Sequence, residues 1–182
     1  MKLLGISGSL RAGSFNTLLL KAAARVAASE SAELKVHDIS AIPLYNGDLD
    51  GDVKPAPVQA LLDAIAAADG LVLVTPEYNY SFSGVMKNVI DWASRPAFNA
   101  VLTHKPCALL SASMSALGGA RAQTHLRSVL AGTLSPVYQA PDYLLASAHT
   151  AFNNDGELKS DDHQKRLEQF MQGYLNWLQH PR

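Results

Sequence analysis

Ser9, Arg11, Ser14 and Asn16 fall within a span of eight residues, between an apolar run ending at Ser7 and an amphipathic stretch that begins at about Thr17. Hydroxyls, an amide and one guanidinium at the start of a helix suit a phosphate. The first N–H groups of a helix lack intrahelical acceptors, its dipole is positive at that end, and arginine can hold two phosphate oxygens at once. Two nucleotide loops are excluded. A Walker loop needs Gly-x-x-x-x-Gly-Lys, and no lysine lies between Lys2 and Lys21. A dinucleotide-binding turn needs Gly-x-Gly-x-x-Gly, whereas Gly5 and Gly8 stand three apart and the next glycine is Gly13. Without that pattern Asp38, at the end of the second strand, does not read as a ribose-binding acid. Two readings stay open: a pocket for one terminal phosphate, or an ordinary strand-to-helix turn in which Ser14 or Asn16 is only a cap.

Two further loops carry unusual chemistry. In Pro76–Ser81, Tyr78 and Tyr80 flank Asn79. Such a segment offers either a rigid wall for a planar heteroaromatic ligand or two aromatic rings that close the core. Glu77 is the one acid in these loops, so a carboxylate nucleophile of a flavin-free nucleoside transferase or hydrolase is a competing use of it. In Ala112–Gly119, Ser113 and the pair Gly118 and Gly119 allow close backbone approach and offer N–H groups at another helix start.

These loops need elements to position them. Leu3–Ile6, Leu71–Thr75 and Cys107–Ser111 are near-continuous apolar runs, as in strands buried on both faces. Leu34–Asp38 alternates apolar with polar, and Leu134–Tyr138 contains Pro136, which cannot donate to a ladder; both read as edge strands. Helical stripes lie between them: Leu19, Ala22, Ala23 and Val26; Val58, Leu61, Leu62, Ile65 and Ala66; Met86, Val89, Ile90 and Ala93; Ala122, Leu126, Val129 and Leu130; and a last one from Leu167 to Leu178. The pattern predicts an α/β fold, a three-layer flavodoxin-like sandwich whose five-stranded parallel sheet has the order 2-1-3-4-5, with helices on both faces and one domain over residues 1–182. Ligands of such sheets sit beyond the carboxyl ends of the strands, where strand order reverses. The three loops converge there, and a ring wall, a phosphate loop and a polar edge together describe a flavin mononucleotide (FMN) site.

Composition narrows the partners. A net charge of −1 with scattered basic residues gives no footprint for nucleic acid or an anionic membrane, and lacks the acidic surface expected of a flavodoxin-type electron carrier. No apolar run reaches the roughly 18 residues of a membrane span, and the opening residues do not read as a signal peptide. The single cysteine, Cys107, lies inside an apolar strand and reads as packing; it fits a reducing compartment, with cytoplasm as the expectation. Six histidines show no metal-ligand spacing.

The segments Gly8–Asn16, Pro76–Arg95 and Gly118–Arg127 resemble, in order and spacing, the NAD(P)H-dependent FMN reductase family, in its chromate and quinone reductase branch. The resemblance covers roughly the first 130 residues. It implies an FMN-dependent oxidoreductase that passes hydride from NAD(P)H to a quinone, free flavin, chromate or similar small acceptor by ping-pong kinetics, working as a homodimer or homotetramer with no catalytic acid or base. It also implies a phosphate loop at Ser9, Arg11, Ser14, Phe15 and Asn16. A ring loop falls at Pro76, Glu77, Tyr78, Asn79 and Tyr80, and a third contact at Ser113. Backbone N–H groups around Gly118 would then face the ring's polar edge. Arg121 and Arg127 read as solvated or intersubunit charges, and His125 as inert.

Overall fold

The computed structural model describes residues 1–180. Its strands are β1 (Lys2–Ser7), β2 (Glu33–His37), β3 (Gly70–Thr75), β4 (Glu77–Tyr78), β5 (Ser81–Phe82), β6 (Cys107–Ala112) and β7 (Tyr143–Leu145). Its α-helices are α1 (Phe15–Ser29), α2 (Ala56–Ala67), α3 (Gly84–Ala93), α4 (Ala120–Gly132), α5 (Ala148–Ala151) and α6 (Asp161–Gln179). Five strands form one parallel sheet in the order β2-β1-β3-β6-β7, which is 2-1-3-4-5 in the count of sheet strands. The small antiparallel pair β4–β5 stands apart from it.

The three central strands are buried on both faces, as their unbroken apolar runs require. One core packs α1 and α6 against the sheet through Leu19, Ala23, Leu167, Met171 and Tyr174. The other packs α2, α3 and α4 through Leu61, Ile65, Met86, Trp92 and Leu126. Burial on both sides explains the central strands; on β2 Val36 is exposed, in keeping with an edge.

Three expectations are corrected. The fifth strand is Tyr143–Leu145, not Leu134–Tyr138. The earlier segment still touches the sheet: Cys107 N donates to Pro136 O (2.8 Å) and Tyr138 N to Cys107 O (2.8 Å). Pro136 lacks an N–H, so that pairing stops at an isolated bridge; the ladder resumes at Tyr143, beside Leu110. Ala66 is exposed, so the α2 stripe ends at Ile65. Helix α1 begins two residues before Thr17, at Phe15, because Ser14 caps it: its side chain accepts from Thr17 N (3.3 Å).

Candidate functional site

The loop after β1 is pinned at its base. Gly8 N donates to Val74 O (2.8 Å), and a Cβ on Gly8 would stand 2.8 Å from Ser83 Oγ and 3.2 Å from Thr75 Oγ1. Only a glycine lets the backbone pass so close to the loop after β3. Beyond it, Ser14 is committed as the α1 cap. Asn16 is committed too: its Nδ2 donates to Ala112 O (3.0 Å) and its Oδ1 accepts from Ala112 N (2.9 Å), all buried. The two ends of the crevice, α1 and β6, are thus tied by one amide. Arg11 is different. It is exposed, donates only to Gly13 O (3.2 Å), lies 5.8 Å from the Phe15 ring centroid, and forms no ion pair among the described residues. Its remaining donors, with the first N–H groups of α1, are available to an anion.

The loop after β3 is a hairpin. Asn79 (φ 49°) and Tyr80 (φ 69°) both take left-handed backbone, the combination a two-residue type I′ turn requires. Glu77, at its start, points away from solvent into the N-terminus of α4. Its Oε2 accepts from Arg121 N (3.1 Å) and Ala122 N (3.4 Å), and its Oε1 pairs with Arg121 Nη1 (3.3 Å). The Arg121 guanidinium lies 4.2 Å from the Tyr80 ring centroid, and His125 Nδ1 is 3.1 Å from Ser81 Oγ. Within this chain Arg121 and His125 therefore serve the hairpin, and Arg127 pairs with Asp142.

The loop after β6 supplies a third wall. Gly118 (φ 59°) and Gly119 (φ 95°) turn the chain sharply into α4. A Cβ at Gly119 would lie 2.6 Å from Ser111 Cβ, so the loop packs directly on the strand. Gly118 is buried: its N–H donates to Ser115 O (3.3 Å) and its carbonyl accepts from Ser111 Oγ (2.7 Å).

The three walls enclose a cleft of about 320 Å³ at the carboxyl ends of β1, β3 and β6. Ser9, Arg11, Ser14, Phe15 and Asn16 form one side, Pro76, Glu77 and Tyr78 the second, and Ser113 with Ala112 and Met114 the third. Nine of the twelve expected residues are brought together there. Asn79 and Tyr80 sit at the exposed hairpin tip, and Gly118 lies behind the wall; none of the three lines the cleft. Ala112 and Met114 escape a sequence reading because an alanine and a methionine carry no chemical signal of their own. A larger hollow of about 570 Å³, edged by Pro106, Pro136, Trp177 and Leu178, lies at the amino ends of the strands, away from all three loops.

The strongest protonation shifts lie in the sheet and in α6 packed on it, rather than in the cleft. Burial pushes the Cys107 thiol up to about 12 and the Tyr143 hydroxyl up to about 12, and it raises Tyr174 as well. Cys107 is fully buried and is a packing residue, as its setting in the sequence predicts. Among the described residues there is no cluster of histidine, cysteine and carboxylate side chains able to hold a metal ion, and no helix is long and apolar enough to cross a membrane.

A doubly wound sheet with a cleft at the reversal of its strand order defines a flavodoxin-like, ligand-binding class of α/β protein. Comparison with known proteins narrows the class: residues 1–150 match the NADPH-dependent FMN reductase family, to which this chain belongs. It is 42% identical over 178 residues to an NAD(P)H-dependent FMN reductase of Pseudomonas aeruginosa, covering 98% of this chain and 95% of that one. It is 40% identical to a 2-hydroxy-1,4-benzoquinone reductase of a Burkholderia species, covering 98% and 96% of the two chains. Among solved structures, a flavoenzyme NAD(P)H:(acceptor) oxidoreductase from Paracoccus denitrificans superposes with a TM-score of 0.89 at 32% identity, over 98% of this chain and 97% of that one.

Proposed function

We propose that this protein is an FMN-dependent NAD(P)H oxidoreductase that delivers electrons to a quinone, free flavin, chromate or similar small acceptor. The observation that carries the reading is the division of labour in the cleft. One side presents a helix N-terminus and an arginine with uncommitted donors; the other two present Pro76, Tyr78 and Met114 as apolar walls. That arrangement fits a flat ring bearing a phosphate tail, and the cleft lies in the usual ~300–1,000 Å³ range of ligand pockets. Ser9, Arg11 and the N–H groups of Phe15 and Asn16 would hold the phosphate, while Pro76, Tyr78 and Ser113 would hold the ring. When bound, FMN supplies the hydride and electron chemistry.

The protein's own residues bind and orient. Glu77 is consumed by Arg121 and the start of α4, so it is not placed as a nucleophile, which weighs against a transferase or hydrolase use of this fold. With Tyr78 half exposed and Met114 63% exposed, the cleft is open on one side, where donor and acceptor would take turns. Turns at one face give ping-pong kinetics. Exposed apolar side chains at Leu44 (80%), beside Pro43 whose carbonyl accepts from Asn88 and Trp92 of α3, and at Phe98 (72%), just past α3, support assembly into a homodimer or homotetramer. The lone buried thiol supports a cytoplasmic setting.

The test is the visible spectrum of protein reconstituted with FMN, followed anaerobically in stopped flow with NADH and then NADPH. A bound flavin spectrum that bleaches within the turnover time, with parallel double-reciprocal lines against a quinone, is expected. A protein that stays colourless with FMN, or one whose flavin does not react with either nucleotide, would overturn the reading.

A further inference from the structure

Glu77 borders the cleft, yet its carboxylate is turned away from it. The N-cap of helix α4 is Gly119, which offers no side-chain acceptor. The missing acceptor comes from another part of the chain, because Glu77 Oε2 receives Arg121 N (3.1 Å) and Ala122 N (3.4 Å). A carboxylate there also complements the positive end of the helix dipole. Arg121 then reaches both ends of the hairpin. Its Nη1 pairs with Glu77 Oε1 (3.3 Å) at the base, and its guanidinium covers the Tyr80 ring at the tip, 4.2 Å from the centroid. Tyr80 holds φ 69°, a backbone that an aromatic residue seldom adopts, so its turn needs an outside contact to favour it. The Glu77 side chain is 11% exposed while that of Arg121 is 45% exposed, so the carboxylate is shielded and the guanidinium stays in contact with solvent.

From this geometry we infer that Glu77 is a positioning residue: with Arg121 and Tyr80 it clasps the hairpin to α4 and so sets the width of the slot that receives the flavin ring. The two walls of that slot belong to different connections. Pro76 and Tyr78 stand on the hairpin, whereas Ser113 and Met114 stand on the loop that leads into α4. The clasp joins the hairpin to the helix that follows the other wall, so the two walls are fixed relative to each other by three side chains. Arg11 and the phosphate loop lie outside it. Ring binding and phosphate binding are therefore separable by mutation.

The flavin part of this inference rests on the proposed function; the clasp itself does not. The first measurement uses protein without cofactor: hydrogen exchange of the full chain, wild type against Glu77→Ala, Glu77→Gln, Arg121→Met and Arg121→Lys. Loss of a cap and a charge-assisted pair should speed exchange in residues 76–83 and at the start of α4 about tenfold in Glu77→Ala, leaving residues 9–17 unchanged. Glu77→Gln, which keeps an acceptor oxygen, should fall between, and Arg121→Lys should recover more of the protection than Arg121→Met. Exchange equal to wild type in all four variants, or acceleration spread evenly over the sheet, would overturn the clasp.

The second measurement compares affinities for FMN and for riboflavin by flavin fluorescence. Glu77→Ala should weaken both by the same factor, about 5- to 20-fold, with a changed visible circular dichroism of the bound ring. A loss confined to FMN would overturn the assignment of Glu77 to the ring slot. If wild type binds neither flavin, the functional reading falls, and the exchange pattern alone decides the clasp.

Discussion

Arg11 and Glu77 are both charged, both beside the cleft, and opposite in what they have left to offer. Glu77 has three donors on its two oxygens. Arg11 has given one N–H to the neighbouring carbonyl of Gly13 and keeps the rest of its fork free. A charge-assisted bond to phosphate contributes about 1.5–3 kcal/mol. Arg11→Ala should therefore weaken FMN about 10- to 150-fold by equilibrium titration, while riboflavin, which has no phosphate, should bind as before. Ser9→Ala should cost less, since a neutral hydroxyl donates a weaker bond. An Arg11→Ala protein with unchanged FMN affinity would mean that the phosphate lies elsewhere. The sequence shows residue types and spacing but not which polar groups are already spoken for. Ser14 and Asn16 read equally well there as ligands or as caps, and only the bonds of Asn16 to Ala112 separate a structural amide from a free one.

At the scale of elements, the bond between α1 and β6 closes the crevice from behind. Asn16→Ala would remove the side-chain acceptor and donor that the buried N–H and carbonyl of Ala112 use, about 1–3 kcal/mol for each group at most, so the urea midpoint should fall clearly. Asn16→Asp should not restore it, because a second carboxylate oxygen would face the Ala112 carbonyl where an N–H is needed. Stability unchanged in Asn16→Ala would show that water replaces the amide and that the two elements are not tied by it. The elements themselves were largely legible: unbroken apolar runs mark β1, β3 and β6, and the 3.6-residue stripes mark α1, α3, α4 and α6. What escaped follows from contacts that are distant along the chain. β7 has three residues, too few to show a period, and the proline segment before it carries the stronger strand composition. The hairpin β4–β5 depends on left-handed backbone at Asn79 and Tyr80; an Asn-Tyr pair signals that turn far less than Asn-Gly does. Arg121, 44 positions beyond Glu77, could not be matched to it by spacing.

The whole molecule divides into a loop-built cleft at one end of the sheet and a body in which ionisable groups are kept neutral, and the body sets the response to alkali. Cys107 is fully buried in β6, and Tyr174 reaches from α6 to donate to Leu71 O and Pro106 O, both at 3.0 Å. Burial disfavours the anion of each, so the Cys107 thiol rises from 9.0 to about 12, the Tyr143 hydroxyl from 10.0 to about 12, and Tyr174 rises also. The sign follows from the protons held. Above about pH 9 the unfolded chain loses protons that the folded chain retains, so the stability these groups contribute is complete below pH 9 and drains away as pH climbs toward 12. Urea midpoints should stay level up to about pH 9 and fall as pH climbs from there toward 12, and tyrosinate absorbance from the buried rings should appear together with unfolding rather than before it. Cys107→Ala should begin from a lower midpoint, because it leaves a small cavity, yet show a shallower decline between pH 9 and 12. A midpoint independent of pH over that interval would mean that water reaches these groups in the folded state, and that the two cores do not seal the sheet between them.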